Sequence, residues 1–165
     1  MGRWFARFLS SQGYQIDIAD PAGSVDGYGY IPDWTSRPPQ HDLIIVSTAL
    51  GKTSEVLSQL AHVKPAGVVV EVTSLKTPLR DSLKQLLTAG VRIASIHPMF
   101  GPSTELLSGR HVVCVDLGEQ SAHTLGEALF DATMANCVTM SLDDHDRLMA
   151  TVLGMSHAIN IAFFK

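Results

Sequence analysis

Apolar runs at residues 42–47, 67–72 and 91–96 each end in polar groups or chain breakers, and segments with helical spacing, 53–62 and 77–89, separate them. Uninterrupted apolar strands suit a sheet covered on both faces. Strands joined through helices of this length pair in parallel by right-handed crossovers. The pattern therefore predicts an α/β fold built on a doubly wound, mostly parallel sheet. Further on, residues 111–116 predict a strand, 121–135 a helix and 137–139 a short strand. From residue 142, Leu148, Met149, Val152, Leu153, Ile159 and Phe163 recur at helical spacing, which predicts a long helix reaching the last residues.

The front of the chain refines this. Residues 2–12 place Trp4, Phe5, Phe8 and Leu9 on one helical face, with Gly13 to stop the helix, and residues 14–20 alternate as a strand that ends in Asp20. Helix, strand and terminal carboxylate in that order match the second half of a dinucleotide-binding βαβ unit, in which a glycine turn precedes the helix and the acidic residue bonds the ribose 2′-hydroxyl. Gly2 then stands at the end of that turn. The expectation is a Rossmann-type domain over 1–141 that lacks its first strand, with 142–165 opening a helical domain. Without the leading glycines, the chain as given is expected to bind a dinucleotide poorly. Residues 21–40, rich in Gly and Pro, predict an irregular surface connection.

Composition narrows the function. A net charge of −4 and no concentrated run of Lys or Arg argue against nucleic acid or an anionic membrane surface as partner. No apolar stretch approaches the roughly 20 residues of a membrane helix. Cys114 and Cys137 lack metal-ligand or CxxC spacing and read as small buried hydrophobes in a reducing, cytoplasmic compartment. No pair of histidines has zinc-site spacing with a third ligand nearby, so no metal is predicted.

The best-placed chemical group is His97. The strand at 91–96 runs into it and is stopped by Pro98, Gly101 and Pro102, which delivers a polar side chain to the rim of a sheet. Histidine titrates nearest neutrality, so at a carboxyl edge it suits acid-base work beside a cofactor. The neighbouring strand also ends in polar groups, Glu71, Thr73, Ser74 and Lys76, though Ser74 or Thr77 equally suits a cap on the helix near Pro78. Asp143, Asp144, His145 and Asp146 open the last helix, where an exposed His145–Asp146 pair would complement the positive end of its dipole.

The octapeptide Ser95-Ile96-His97-Pro98-Met99-Phe100-Gly101-Pro102 resembles the HPMFGP signature of prephenate dehydrogenases. The T-S-L-K stretch at 73–76 and the D-H-D helix opening accompany it, and the resemblance runs from residue 2 to about 164. It implies an NAD-dependent oxidoreductase of tyrosine biosynthesis that oxidatively decarboxylates prephenate, or arogenate, and that is a cytoplasmic homodimer at full length. His97 is implied as proton acceptor and Ser74 as its neighbour at the substrate hydroxyl. The D-H-D opening of the last helix is implied to face the substrate, with His157 and Lys76 as substrate contacts, and Gly2, Asp20, Ser47 and Thr48 as the surroundings of NAD. Asp20, with no Arg or Lys in 21–24, favours NAD over NADP. Two positions depart from the family pattern, Thr48 where a proline is common and Leu153 where a serine is. Two rival readings remain: a different acid dehydrogenase or imine reductase on this fold, marked by a lysine on the long helix that 142–164 lacks, and an inactive fragment.

Overall fold

The computed structural model describes residues 1–36 and 39–163, apart from the side chain of His157. In chain order come α1 (Gly2–Ser11), β1 (Asp17–Ile18), β2 (Gly29–Tyr30), β3 (Leu43–Val46) and α2 (Leu50–Val63). Next are β4 (Val68–Glu71), a 3-10 turn (Thr77–Leu79) leading into α3 (Arg80–Thr88), and β5 (Ile93–Pro98). The chain finishes with β6 (His111–Asp116), α4 (Gln120–Ala128), β7 (Asn136–Ser141) and α5 (Leu142–Phe163). Strands β3 to β7 form one sheet in sequence order, parallel except between β5 and β6.

Both faces of this sheet are covered, which is why its inner strands are apolar without alternation. Val68, Val70 and Val72 pack with Trp4, Phe5 and Leu9 of α1 and with Ala122 of α4, while Val69 packs on the opposite face with Leu57 and Leu60 of α2 and Leu83 and Leu86 of α3. Helix α4 lies close on β5, because a Cβ on Gly126 would stand 3.2 Å from the Cβ of Ala94. Gly13, at φ +91°, ends α1 as expected, and Tyr14 N–H returns to the Leu9 carbonyl at 3.2 Å.

Four expectations change. The 21–40 connection contains β2, which pairs in parallel with β1 as a separate two-stranded sheet; two residues, one of them a glycine, are too short to register as an apolar strand. Strand β6 runs antiparallel to β5 because the link between them, with Gly101, Pro102 and Gly109, forms no helix and the chain doubles straight back. Helix α4 stops at Ala128, and β7 extends over six residues where three were expected. Strand β7 is the sheet's edge and is mostly exposed, so Asn136, Thr139 and Ser141 are tolerated there and hid its length. Cys114 is buried as expected, but Cys137 on that edge is exposed.

Gly67 marks the tightest approach of a glycine to another segment's backbone, since a Cβ there would lie 1.9 Å from the His41 carbonyl oxygen and 2.7 Å from that of Asp42. Backbone cannot step aside as a flexible side chain can. A Gly67→Ala variant is expected to lose about 1–3 kcal/mol or more through forced displacement of β3 from β4. Urea unfolding checks this, and a midpoint equal to the parent's would contradict it.

Candidate active site

Strand β4 ends at Glu71, opposite Ser95, while β5 runs on to Pro98, and Lys76 in the segment after β4 reaches back to both strands. Glu71 and Lys76, fully buried, form an ion pair with Nζ 2.5 Å from Oε1. The Ser95 hydroxyl also donates to Oε1. The second oxygen accepts from Thr73 N–H at 3.0 Å and Thr73 Oγ1 at 2.6 Å, and Lys76 Nζ donates on to the Ile96 carbonyl at 2.8 Å. A buried pair survives its desolvation cost only when its other valences are met in this way. Burial still pushes the Lys76 ammonium pKa below its ordinary value, while Glu71 pulls it back up.

The start of α5 is pinned against the same edge. Ser141 caps the helix, accepting from Asp144 N–H at 3.1 Å and donating to Asp144 Oδ2 at 2.7 Å, a reciprocal cap of the S-x-x-D kind. In the next positions, Asp146 accepts from the backbone N–H of Lys76 at 3.0 Å and of Thr77 at 2.5 Å. That carboxylate, not Ser74 or Thr77, caps the turn that leads into α3. Its Oδ1 also lies 2.7 Å from Nδ1 of His145. Burial works to raise the Asp146 pKa, but the hydrogen bonds from Thr77, Lys76 and His145 outweigh it and bring it down to about 2.

His145 is fully buried, which excludes the exposed helix-start alternative, and its Nε2 is 2.9 Å from Nδ1 of His97. The two rings meet edge to face with centroids 5.1 Å apart. His97 is 7% exposed. Burial pushes its pKa down to about 4, the charges of Lys76 and His145 push the same way, and Asp146 opposes them. The His145 pKa is also lowered, by burial first, with the Asp146 bond opposing. His97 Nε2 has no partner among the described residues, and since no buried side-chain nitrogen or oxygen there lacks one, this edge of the ring reaches solvent.

The loop after His97 is fastened to α1. Trp4 Nε1 donates to the Thr104 carbonyl at 2.8 Å, and its ring stands 4.9 Å from that of Phe100. At the other end of α1, Gly2 lies against Ser47, whose Cβ and Oγ are 3.8 Å from where a Gly2 Cβ would sit. Of the expected cofactor residues, the structure therefore brings Gly2 and Ser47 together. Thr48 turns its hydroxyl to Thr53, 3.0 Å away, and Asp20 is exposed just past β1, holding Ala22 N–H at 2.8 Å.

Among the substrate-side expectations, Ser74 is exposed and makes no recorded bond to His97, whose ring partner is His145. The Lys76 ammonium is enclosed by Glu71 and Ile96, so it holds the strand ends together and does not face the crevice. The side chain of His157 lies outside the described residues. Sequence reasoning left His145 open between the substrate side and an exposed helix start, and the signal for its burial was local: a capping Ser141 four positions ahead and Asp146 directly behind. Among the described residues no cluster of three His, Cys, Asp or Glu side chains could hold a metal ion, and no helix is long and apolar enough to cross a membrane.

A mostly parallel sheet with helices on both faces, a helix N-terminus at one strand end and polar groups at the next, is a Rossmann-type nucleotide-binding domain. The family model for the prephenate dehydrogenase nucleotide-binding domain matches residues 32–130, and the chain belongs to that family. A probable arogenate/prephenate dehydrogenase of Methanocaldococcus jannaschii is 26% identical over 95% of this chain and 38% of its own length. A probable NADP-dependent prephenate dehydrogenase of Schizosaccharomyces pombe is 23% identical over 96% of this chain and 39% of its own. The chain thus spans about two fifths of the length of these relatives. The Aquifex aeolicus prephenate dehydrogenase, solved with hydroxyphenyl propionate and NAD+, shares the fold at a TM-score of 0.77 and 19% identity, over 99% of this chain and 64% of that one.

The depressed His97 pKa makes stability depend on pH. The unfolded chain takes up this proton near 6.5 and the folded one only near 4, so stability falls as pH drops through that window. By pH 4.5 the loss is roughly 2–3 kcal/mol from this group, with Asp146 adding more below pH 4. A His97→Asn variant removes this titration and is expected to lose correspondingly less stability between pH 7 and 4.5. Equal losses in urea unfolding would show that His97 is not buried as neutral imidazole.

Proposed function

We propose that the whole protein oxidatively decarboxylates prephenate, or arogenate, with NAD, and that His97 accepts the proton of the substrate's ring hydroxyl. The observation that carries this reading is a histidine held at the sheet rim, neutral at pH 7, with one ring nitrogen bonded inward and the other open to solvent. Relatives named as prephenate or arogenate dehydrogenases support the substrate class.

The residues present suit the cofactor. Helix α1 has no side-chain cap at Met1, so its first-turn N–H groups are available to a pyrophosphate beside Gly2 and Ser47. The exposed Asp20 carboxylate suits a ribose 2′-hydroxyl and would repel a 2′-phosphate. NAD, when bound, supplies the hydride acceptor. His97 takes the hydroxyl proton as that ring carbon is oxidised. Loss of the ring carboxylate as carbon dioxide then returns an electron pair to the ring, and the imidazolium gives its proton back to the phenolate oxygen. Ser74, exposed on the loop between β4 and α3, is assigned to the substrate side of this crevice. Val152, Met155 and Ile159, exposed on α5, give a face suited to the helices of a second copy in a homodimer.

Assay of the whole protein with prephenate and both nicotinamide cofactors tests this. His97→Asn is expected to lower kcat by roughly 10²–10⁴-fold with little change in KM for NAD, and NAD is expected to be used better than NADP. Near-normal turnover in the variant would overturn the role of His97.

A further inference from the structure

We infer that Asp146 and His145 are positioning residues that fix the tautomer of His97, keeping its hydrogen on Nδ1 and leaving Nε2 as the nitrogen that accepts a proton. The inference rests on the proposed reaction for its kinetic consequence, but its structural content stands without it.

The assignment follows from donors and acceptors taken in order. Asp146 receives two backbone N–H donors, from Lys76 and Thr77, and is an ionised carboxylate at neutral pH, so it can only accept. His145 Nδ1, 2.7 Å from Asp146 Oδ1, must therefore carry a hydrogen. In a neutral imidazole the other nitrogen is then an acceptor, so His145 Nε2 accepts from His97 Nδ1 across 2.9 Å. His97 Nε2 is left with its lone pair on the edge that reaches solvent. Each ring has one satisfied arrangement, and the carboxylate at the end of the row selects it.

Two other charged groups border the row, Lys76 and Glu71, and they form their own buried pair. Burial first, and Lys76 beside it, disfavour a proton on either ring, so both stay neutral in the resting state. When His97 becomes imidazolium, its Nδ1–H is already directed at His145, and Asp146 lies one ring beyond to offset the charge. The carboxylate stays ionised throughout, as an orienting group does in a Ser-His-Asp triad.

Replacing Asp146 by Asn turns this logic into a test. The backbone N–H groups of Lys76 and Thr77 need an acceptor, so the amide oxygen takes that side and the NH₂ faces His145. His145 then carries its hydrogen on Nε2, and His97 must carry its own on Nε2, where the lone pair is needed. Nitrogen NMR of the ring atoms in histidine-labelled protein at pH 7 reads this directly. The parent is expected to show His97 protonated on Nδ1, Asp146→Asn to show it on Nε2, and kcat to fall roughly 10²–10⁴-fold with KM little changed. His145→Phe, which keeps the ring volume and leaves Asp146 on its backbone partners, gives a second route in case Asp146→Asn does not fold. It is expected to abolish the Nδ1–H form of His97. A parent His97 protonated on Nε2, or a His97 tautomer unchanged in the variants, would overturn the inference. Tautomers as expected, with a fully active His97→Asn variant, would leave it standing and remove the proposed reaction instead.

Discussion

The buried pair of Glu71 and Lys76 is the constraint on which this edge of the sheet depends. An ammonium and a carboxylate taken out of water are tolerable only with near-complete hydrogen bonding, and here the carboxylate receives Lys76, Ser95 and two donors from Thr73. Those bonds fold the segment after β4 into one shape. Its Lys76 and Thr77 N–H groups then point outward as a matched pair of donors, and Asp146 is the acceptor that meets them. Helix α5 is fastened to the sheet through that contact, and His145 is carried in with it to reach His97.

Electrostatics at this edge works by separation of roles. The full charges, Glu71 with Lys76 and the Asp146 carboxylate, are each matched by hydrogen bonds, while the two histidines between them stay neutral. Burial, aided by the positive charge of Lys76, keeps protons off the rings in the resting state. A negative charge at the far end is in place for the moment when one ring gains a proton. In the proposed reaction neither effect needs the protein to reorganise, which is the condition under which such groups are most effective.

Much of this was legible in the sequence, because the strands at 67–72 and 91–96 are buried on both faces, that at 42–47 is partly buried at the sheet edge, and all three announce themselves by largely apolar runs. His97 was legible for the same reason, as the first polar residue after such a run. Lys76 was not: the resemblance implies a substrate contact for it, and only the approach of Glu71 and of the Ile96 carbonyl from a neighbouring strand shows that it is enclosed. His145 suited an exposed helix start equally well until Ser141 and Asp146 were seen to turn it inward. Strand β2 and the reversal at β6 depend on contacts between segments remote in sequence, which periodicity does not carry.

The account holds that one buried ion pair organises this edge, and unfolding energetics of variants at that pair test it most directly. Lys76→Met leaves a carboxylate buried without its partner and is expected to cost about 3–5 kcal/mol, whereas Glu71→Met combined with Lys76→Met replaces both charges by apolar groups and is expected to recover much of that loss. A Lys76→Met protein as stable as its parent, or a double variant whose loss is the sum of the two single ones, would contradict it.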